Sequence, residues 1–186
     1  MDDLVVVDLK DPRVAAFLAW LFPGAGHLYQ GRIAKGLLLM IVIWSTFFFG
    51  FYLGAGRVVY LARVEGGGGR GVRAIMARLP YLCQVWTGLP ALPAVVEAYR
   101  TAHGGEPWFG DRRWYVPPEV DPNNKPDELD LLHKHLHRYF ELGTVYTIIA
   151  GLLNVLAIYD AWGGPAYYGT SRKPEDEPPP TEPAPA

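Results

Sequence analysis

Residues 13–56 read RVAAFLAWLFPGAGHLYQGRIAKGLLLMIVIWSTFFFGFYLGAG, and the rest of the chain has to be placed relative to them. From Gly36 to Gly56 no side chain is charged, and the run is dense in Leu, Ile, Val, Met, Phe and Trp. At helical rise such a run covers about 30 Å, the thickness of a hydrocarbon core. A helix of a water-soluble protein would show a polar stripe over this length, whereas here only Ser45 and Thr46 interrupt the run. Trp44, Phe47, Phe48, Phe49, Phe51 and Tyr52 crowd its second half, with Tyr52 suited to an interface. The stretch predicts a membrane span over 36–56.

A shorter apolar segment, Val14 to Tyr29, precedes it and is broken by Pro23 and Gly24. Proline removes a backbone donor that lipid cannot replace, so the break must be covered by protein or lie near the membrane edge. The turn GRIAKG is too short for a long connection, which predicts a span over 14–30 antiparallel to the next. Ala15, Ala19, Gly24 and Gly26 on the first helix, and Gly50 and Gly54 on the second, would let backbones approach closely.

The segment PGAGHLYQGRIAKG resembles the turn of the two-transmembrane-helix (TM-two) domain and related bacterial membrane proteins. The matching residues are Gly24, Gly26, His27, Tyr29 and Gly31, with Pro23 ahead of them. The later stretch ELGTVYTIIAGLLNVLAIYDAWGGP is similar to the last span of a bacterial membrane-protein family of uncharacterised function that shares this hairpin. The resemblance implies a membrane hairpin and a location in the inner (plasma) membrane, and it implies no reaction.

Composition agrees: half the residues are hydrophobic and only 19% are charged, with a polar loop and tail diluting the spans. A net charge of −2 gives no reason to expect a nucleic-acid partner. The single cysteine, Cys83, rules out an intrachain disulfide. The acidic start, Met1-Asp2-Asp3, is wrong for a secretory signal, so the first span is expected to remain as an uncleaved anchor within a polar N-terminus, 1–12. Val5 to Val7 suit a short strand or a surface element.

Gly66 to Gly69 read as a flexible link with a basic character from Arg57, Arg63, Arg70, Arg73 and Arg78. A phosphate-cradling loop would need Gly-Lys-Ser/Thr at a helix start, which is absent, and a linker against anionic headgroups is the better reading. The uncharged stretch 79–96 is long enough to cross but is interrupted by Pro80, Pro90 and Pro93. A broken or re-entrant segment over 79–98 and a full crossing both fit. In the polar segment 100–125, Trp114 and Tyr115 beside Arg112 and Arg113 could stack a sugar or a base. A loop resting on the interface is preferred, since nothing acidic or metal-binding is spaced to act on a ligand.

From Pro126 to Glu141 the pattern is helical. Leu129, Leu132, Leu136, Tyr139 and Phe140 form one face opposite His133, Lys134, His137 and Arg138, an amphipathic interfacial helix. His133, His137 and Glu141 are the only metal-like constellation. A zincin would carry Glu directly after the first His, where Lys134 stands, so solvated histidines are preferred and no metal is expected.

A last span over 142–161 carries Thr147, Gly151, Asn154, Ala157 and Ala161 on one side. A buried amide without a partner is costly, so this stripe should pack inward with Asn154 hydrogen-bonded across helices. A polar transport pathway is the sharper alternative. Residues 163–186 are proline-rich and acidic, a composition that does not fold by itself. Lys and Arg bias places the N-terminus in the cytoplasm whether or not 79–96 crosses, while the side of the tail depends on that stretch.

The sequence thus predicts an all-α, multi-pass integral membrane domain over 13–162: an N-terminal two-helix hairpin, a broken third segment, an interfacial helix and a last span. It carries no nucleophile–base pair, paired intramembrane carboxylates or complete metal set, so the expected role is non-enzymatic and cofactor-free. Lipids surround it, and it acts through a membrane-protein partner or another copy of itself; a small transporter or channel-like subunit is the alternative.

Overall fold

A computed structural model describes residues 10–63, 72–119 and 127–164, the side chains of 72–74 excepted. Along them the chain forms α1 (Pro12–Leu21), α2 (Ala25–Tyr29), α3 (Ile33–Leu53), α4 (Val72–Gln84), α5 (Pro93–Ala102), α6 (Glu128–Leu136) and α7 (Arg138–Gly163), with 3₁₀ turns at Val85–Thr87, Leu89–Ala91 and Gly110–Arg112. Every regular element among the described residues is helical. The expectations for Val5–Val7, the Gly66–Gly69 link, Pro126 and the tail beyond Gly164 lie outside the described residues.

Two helices are long and apolar enough to cross a bilayer. Their most apolar stretches have mean hydropathies of 2.1 (α3) and 1.8 (α7), and only 28% and 33% of those stretches is buried. The core helix of a water-soluble globule would be mostly covered; these leave Leu38, Ile41 and Tyr52 on α3, and Leu152, Leu156 and Tyr159 on α7, facing outward. They run antiparallel. Gly50 and Gly54 near the end of α3 meet Gly143 near the start of α7, and Lys35 at the start of α3 reaches Asp160 at the end of α7.

The segment expected as one span over 14–30 forms two short helices, α1 and α2. Asp11 caps α1 by accepting from the Arg13 amide, and Pro12 sits in the first turn, where its missing N–H costs nothing. The helix ends at Leu21, after about 15 Å. Gly24 then adopts φ 84°, a left-handed conformation that a side chain would disfavour, and the chain reverses. Helix α2 lies back along α1: a Cβ on Gly26 would strike the Ala15 carbonyl and the Ala19 methyl, and Lys10 sits 4.9 Å over the Tyr29 ring. The tip reaches the middle of α3, where Phe22 and Trp44 rings are 6.2 Å apart. The reversal expected at Gly31–Lys35 is therefore a second, outer turn, and Pro23–Gly24 makes the inner one.

The broken segment over 79–98 forms a matching hairpin from the opposite end. Helix α4 runs alongside the first half of α7, with Gln84 bonded to Thr147 and the Cys83 carbonyl against Gly151. Gly88, at φ 79°, turns the chain, and its missing Cβ accommodates the carbonyls of Trp20 and Leu21 at the tip of the first hairpin. Helix α5 then returns. Tyr81 Oη donates to the Ala91 carbonyl, and Arg63, just beyond the end of α3, bonds Thr101 at the far end of α5. Two helical hairpins thus meet tip to tip beside a pair of long helices.

The amphipathic helix expected over 126–141 is shorter. Asp127 caps α6 by accepting from the Asp130 amide, as a helix-start residue should, but His137 at φ 49°, ψ −134° ends it. Helix α7 begins one residue later, so it is longer than the expected span over 142–161. Leu129, Leu132 and Leu136 pack against the core.

Candidate functional site

The break points of both hairpins leave main-chain carbonyls without helical partners, because the last four carbonyls of a helix have no N–H ahead of them. Side chains on the inner face of α7 and on the hairpins take them up. Asn154 Nδ2 donates to the carbonyls of Ala19 at 3.0 Å and Trp86 at 2.7 Å, tying both hairpins to α7. Gln84 Nε2 donates to the Val58 carbonyl at 3.0 Å and to Thr147 Oγ1 at 2.8 Å. Gln30 Nε2 donates to the Ala161 carbonyl at 2.7 Å. All these amide side chains are buried.

A charge cluster closes the end of the bundle where α2, α3 and α7 converge. Asp160 lies 2.6 Å from His27 Nε2, 3.1 Å from Arg32 and 2.8 Å from Lys35. His27 is fully buried, while Asp160 and Lys35 are 33% and 44% exposed, so the cluster opens to the surface on one side. At the opposite end Glu128 pairs with Arg57 at 2.6 Å and Arg113 at 3.3 Å and accepts from the Glu119 amide at 2.9 Å. Burial pushes the Glu128 carboxyl up. The Glu119 amide, the Arg57 hydrogen bond and the charges of Arg113 and Arg57 outweigh that and hold it below its ordinary value.

The residues singled out in the sequence fall as follows. Thr147, Gly151, Asn154, Ala157 and Ala161 are all buried on one face of α7. Gly50 and Gly143 meet backbone to backbone, and Gly54 packs on Val58 as well as Gly143. Pro23 is buried at the first tip, with Gly24 against Gly36 and Met40 and Gly26 against α1. His27 reaches Asp160, and Tyr29 packs on the Ala15–Ala19–Ala161 cluster. Gly31, at φ 80°, makes the outer turn with open space around it.

His133 bonds the Leu129 carbonyl and faces the Phe140 ring, while His137 is taken out of register by the α6–α7 break. Among the described residues no three His, Cys, Asp or Glu side chains are arranged to hold a metal. The aromatic loop is built as a surface. Arg112 lies 5.1 Å over the Trp114 ring, beside a cavity of about 720 Å³ lined mainly by Phe51, Tyr52, Trp114, Leu136 and Tyr139.

Sequence reasoning missed Gln30, Gln84, Gly143 and the partners of Asp160. Gly143 lies four residues before Thr147, on the same stripe, which was a legible signal. Gln84 gave no such signal, being an isolated polar residue in an uncharged stretch.

A family model described as a family of unknown function (DUF6677) matches residues 14–174. An uncharacterized protein of Methanocaldococcus jannaschii, MJ1516, is 40% identical over 35 residues, which is 19% of this chain and 35% of that protein. The similarity thus spans about a third of the relative's length. No solved structure matches the chain.

Proposed function

The chain belongs to this family of unknown function, and from that premise we propose that it is a multi-pass integral membrane protein acting as a non-enzymatic component through packed helices. The observation that carries this reading is the uncovered apolar belt of α3 and α7, on helices long enough to cross a bilayer. Re-entrant hairpins fit the same medium, because helix breaks at membrane depth are tolerated where protein covers them. The two tips cover each other here, and Asn154 takes up freed carbonyls. On this reading the likeness to the TM-two turn concerns the α2–α3 corner, whose Gly24, Gly26, His27, Tyr29 and Gly31 fix a return rather than the end of a crossing.

We also propose an orientation opposite to the expected one. With only α3 and α7 crossing, both termini share one side, and the basic residues from Arg57 to Arg138 lie on the other. By count that second side is richer in Lys and Arg, which favours it as cytoplasmic and puts the N-terminus outside. An inner, plasma-membrane location remains part of this proposal.

Alkaline carbonate extraction of native membranes tests the reading. The protein is expected in the pellet with the bilayer and in buoyant fractions after reconstitution; recovery as a soluble monomer would overturn it. A second reading, a channel-like subunit, is favoured by one feature: two half-length hairpins from opposite ends meet beside polar side chains, as binding and conduction sites do in discontinuous-helix proteins.

A further inference from the structure

The cavity beside Trp114 has strained walls. Among the described residues four that carry side chains adopt positive φ: Ala55 at 51°, Arg113 at 48°, Tyr115 at 63° and His137 at 49°. That left-handed region is unfavourable for a residue with a Cβ, and such outliers gather where a ligand or a switch requires them. All four lie on the segments that wall this one cavity of about 720 Å³: Ala55 lines it, Arg113 and Tyr115 flank Trp114, and His137 follows Leu136. Close packing holds the strain in place. Gly56, at φ 77°, has no Cβ to strike the Trp114 indole, and its carbonyl accepts from the Tyr115 amide at 3.1 Å. The Phe51 ring meets Trp114 edge-on at 5.7 Å and lies 4.8 Å from the Tyr115 ring. The cavity is therefore pre-formed, with a volume inside the ordinary range of ligand sites, about 300–1,000 Å³.

Its chemistry is that of an amphiphile's complement. Arg112 is the only charged side chain in a lining of aromatic, leucine and small residues. Its guanidinium lies over the Trp114 ring, and among the described residues no carboxylate pairs with it, whereas Arg57 and Arg113 nearby are both taken by Glu128. Tyr52 in the last turn of α3 and Tyr139 in the first turn of α7 are 79% and 55% exposed, so the cavity opens where the apolar belt of the two long helices ends. A ligand arriving from water would need several placed polar groups to orient it. One arriving along the belt brings an apolar body and meets a single cation at headgroup level.

We propose that this cavity holds one anionic phospholipid, its phosphate on Arg112 and an acyl chain against Phe51, Leu53 and Leu136. The planar fork of arginine matches phosphate oxygens, and stacking on Trp114 fixes the plane of that fork. The site lies on the side richer in Lys and Arg, proposed above as cytoplasmic, where anionic lipids concentrate. The inference rests on the membrane reading of α3 and α7 and adds a ligand to it.

The test is native mass spectrometry of the full chain released from a mild non-ionic detergent after incubation with phosphatidylglycerol or phosphatidylcholine. Co-flotation of protein with vesicles is scored first. One phosphatidylglycerol is expected to stay bound in preference to phosphatidylcholine, whose choline carries a compensating cation. Arg112→Gln is expected to lower its retention about fivefold, the weight of one basic residue at an anionic surface. Arg100→Gln, which removes an exposed cation near the end of α5, is expected to leave it unchanged. Circular dichroism reports whether Arg112→Gln folds. If it does not, Arg112→Lys, which keeps the charge and loses the fork, takes its place and is expected to weaken retention. Equal retention of the two lipids, unchanged retention in the folded Arg112 variant, or an equal loss in Arg100→Gln overturns the site. Displacement of the lipid by glycerol phosphate alone or by oleate alone also overturns it, since the occupant would then be a free phosphate or a fatty acid. Protein that floats with vesicles yet retains no phosphatidylglycerol overturns the site while leaving the membrane reading intact. Protein that fails to float overturns both.

Discussion

Replacing Gly143 by alanine should weaken the contact between the two long helices, and a control on the same helix makes the expectation sharp. A Cβ at Gly143 would lie 2.6 Å from the Gly50 carbonyl oxygen, 2.8 Å from the Gly54 nitrogen and 3.1 Å from the Gly54 Cα. All three are backbone atoms, so no rotamer change relieves the clash. Ordinary contact needs about 3.4 Å or more, and α3 and α7 must separate locally by roughly 0.5–1 Å. A gap of that size forfeits about a quarter to a half of the dispersion energy of each atom pair it opens. Overpacking of this kind costs about 1–3 kcal/mol, against which the helix preference of alanine over glycine returns about 0.5–1 kcal/mol. A net loss of about 0.5–2 kcal/mol follows. Gly163, near the other end of α7, has nothing within 4 Å of the same added atom, so Gly163→Ala should be neutral or slightly stabilising. The assay is reversible unfolding by a denaturing detergent titrated into mild-detergent micelles, comparing midpoints by circular dichroism. Equal midpoints for Gly143→Ala and Gly163→Ala would refute the claim that backbone contact at Gly50 and Gly54 sets the α3–α7 distance.

Asn154→Leu removes two hydrogen bonds and leaves the Ala19 and Trp86 carbonyls unpaired, for an expected loss of about 1–3 kcal/mol in the same titration. A midpoint equal to wild type would mean the hairpins do not depend on that residue. Glu128 has its pKa lowered by folding, so its stabilisation is complete above its unfolded value of about 4.3 and is lost as pH falls through the lower folded value. Stability should therefore decline on acidification below about pH 5, and Glu128→Gln should be less stable at neutral pH and lose less on acidification. An unchanged acid limb in that variant would sink the assignment. For topology, Lys10→Cys, Ala34→Cys and Trp162→Cys in a Cys83→Ser background should react alike with an impermeant maleimide, and His103→Cys and Lys134→Cys only from the opposite side. Opposite sidedness of Lys10→Cys and Ala34→Cys would mean that the first segment crosses after all.

How far the fold could be read ahead depended on whether the deciding force was local. Helix α3 was legible because an uninterrupted apolar run has few other solutions, and the inward stripe on α7 because four-residue spacing of small and polar side chains survives any detail of packing. The start of α7 was less so: His137 takes a left-handed backbone that no local residue demands, so an amphipathic pattern running to Glu141 gave no warning of a break at 137. The first segment was misread for a different reason. Val14 to Tyr29 is long enough in residues to be a span, and Pro23–Gly24 is compatible with a kink as well as with a reversal. What selects reversal is pairing with the far end of the chain: His27 with Asp160, 133 positions away, and Gln30 with Ala161, 131 positions away.

That dependence has a consequence for how the molecule assembles. The first hairpin cannot satisfy Ala19 or His27 until α7 has been made, since their partners Asn154 and Asp160 lie within its last ten residues. During synthesis the segment would therefore reach its return path only after α7 has formed. Removing Asp160 and Asn154 together should accordingly disturb α1 and α2 far more than α3, whose own contacts run largely through Gly50, Gly143 and the apolar belt. Proteolytic protection of the 22–32 corner in the Asn154→Leu, Asp160→Asn double variant would measure it: loss of protection there with α3 unchanged is expected, and uniform loss across both would show that the hairpin and the long-helix pair are one cooperative unit.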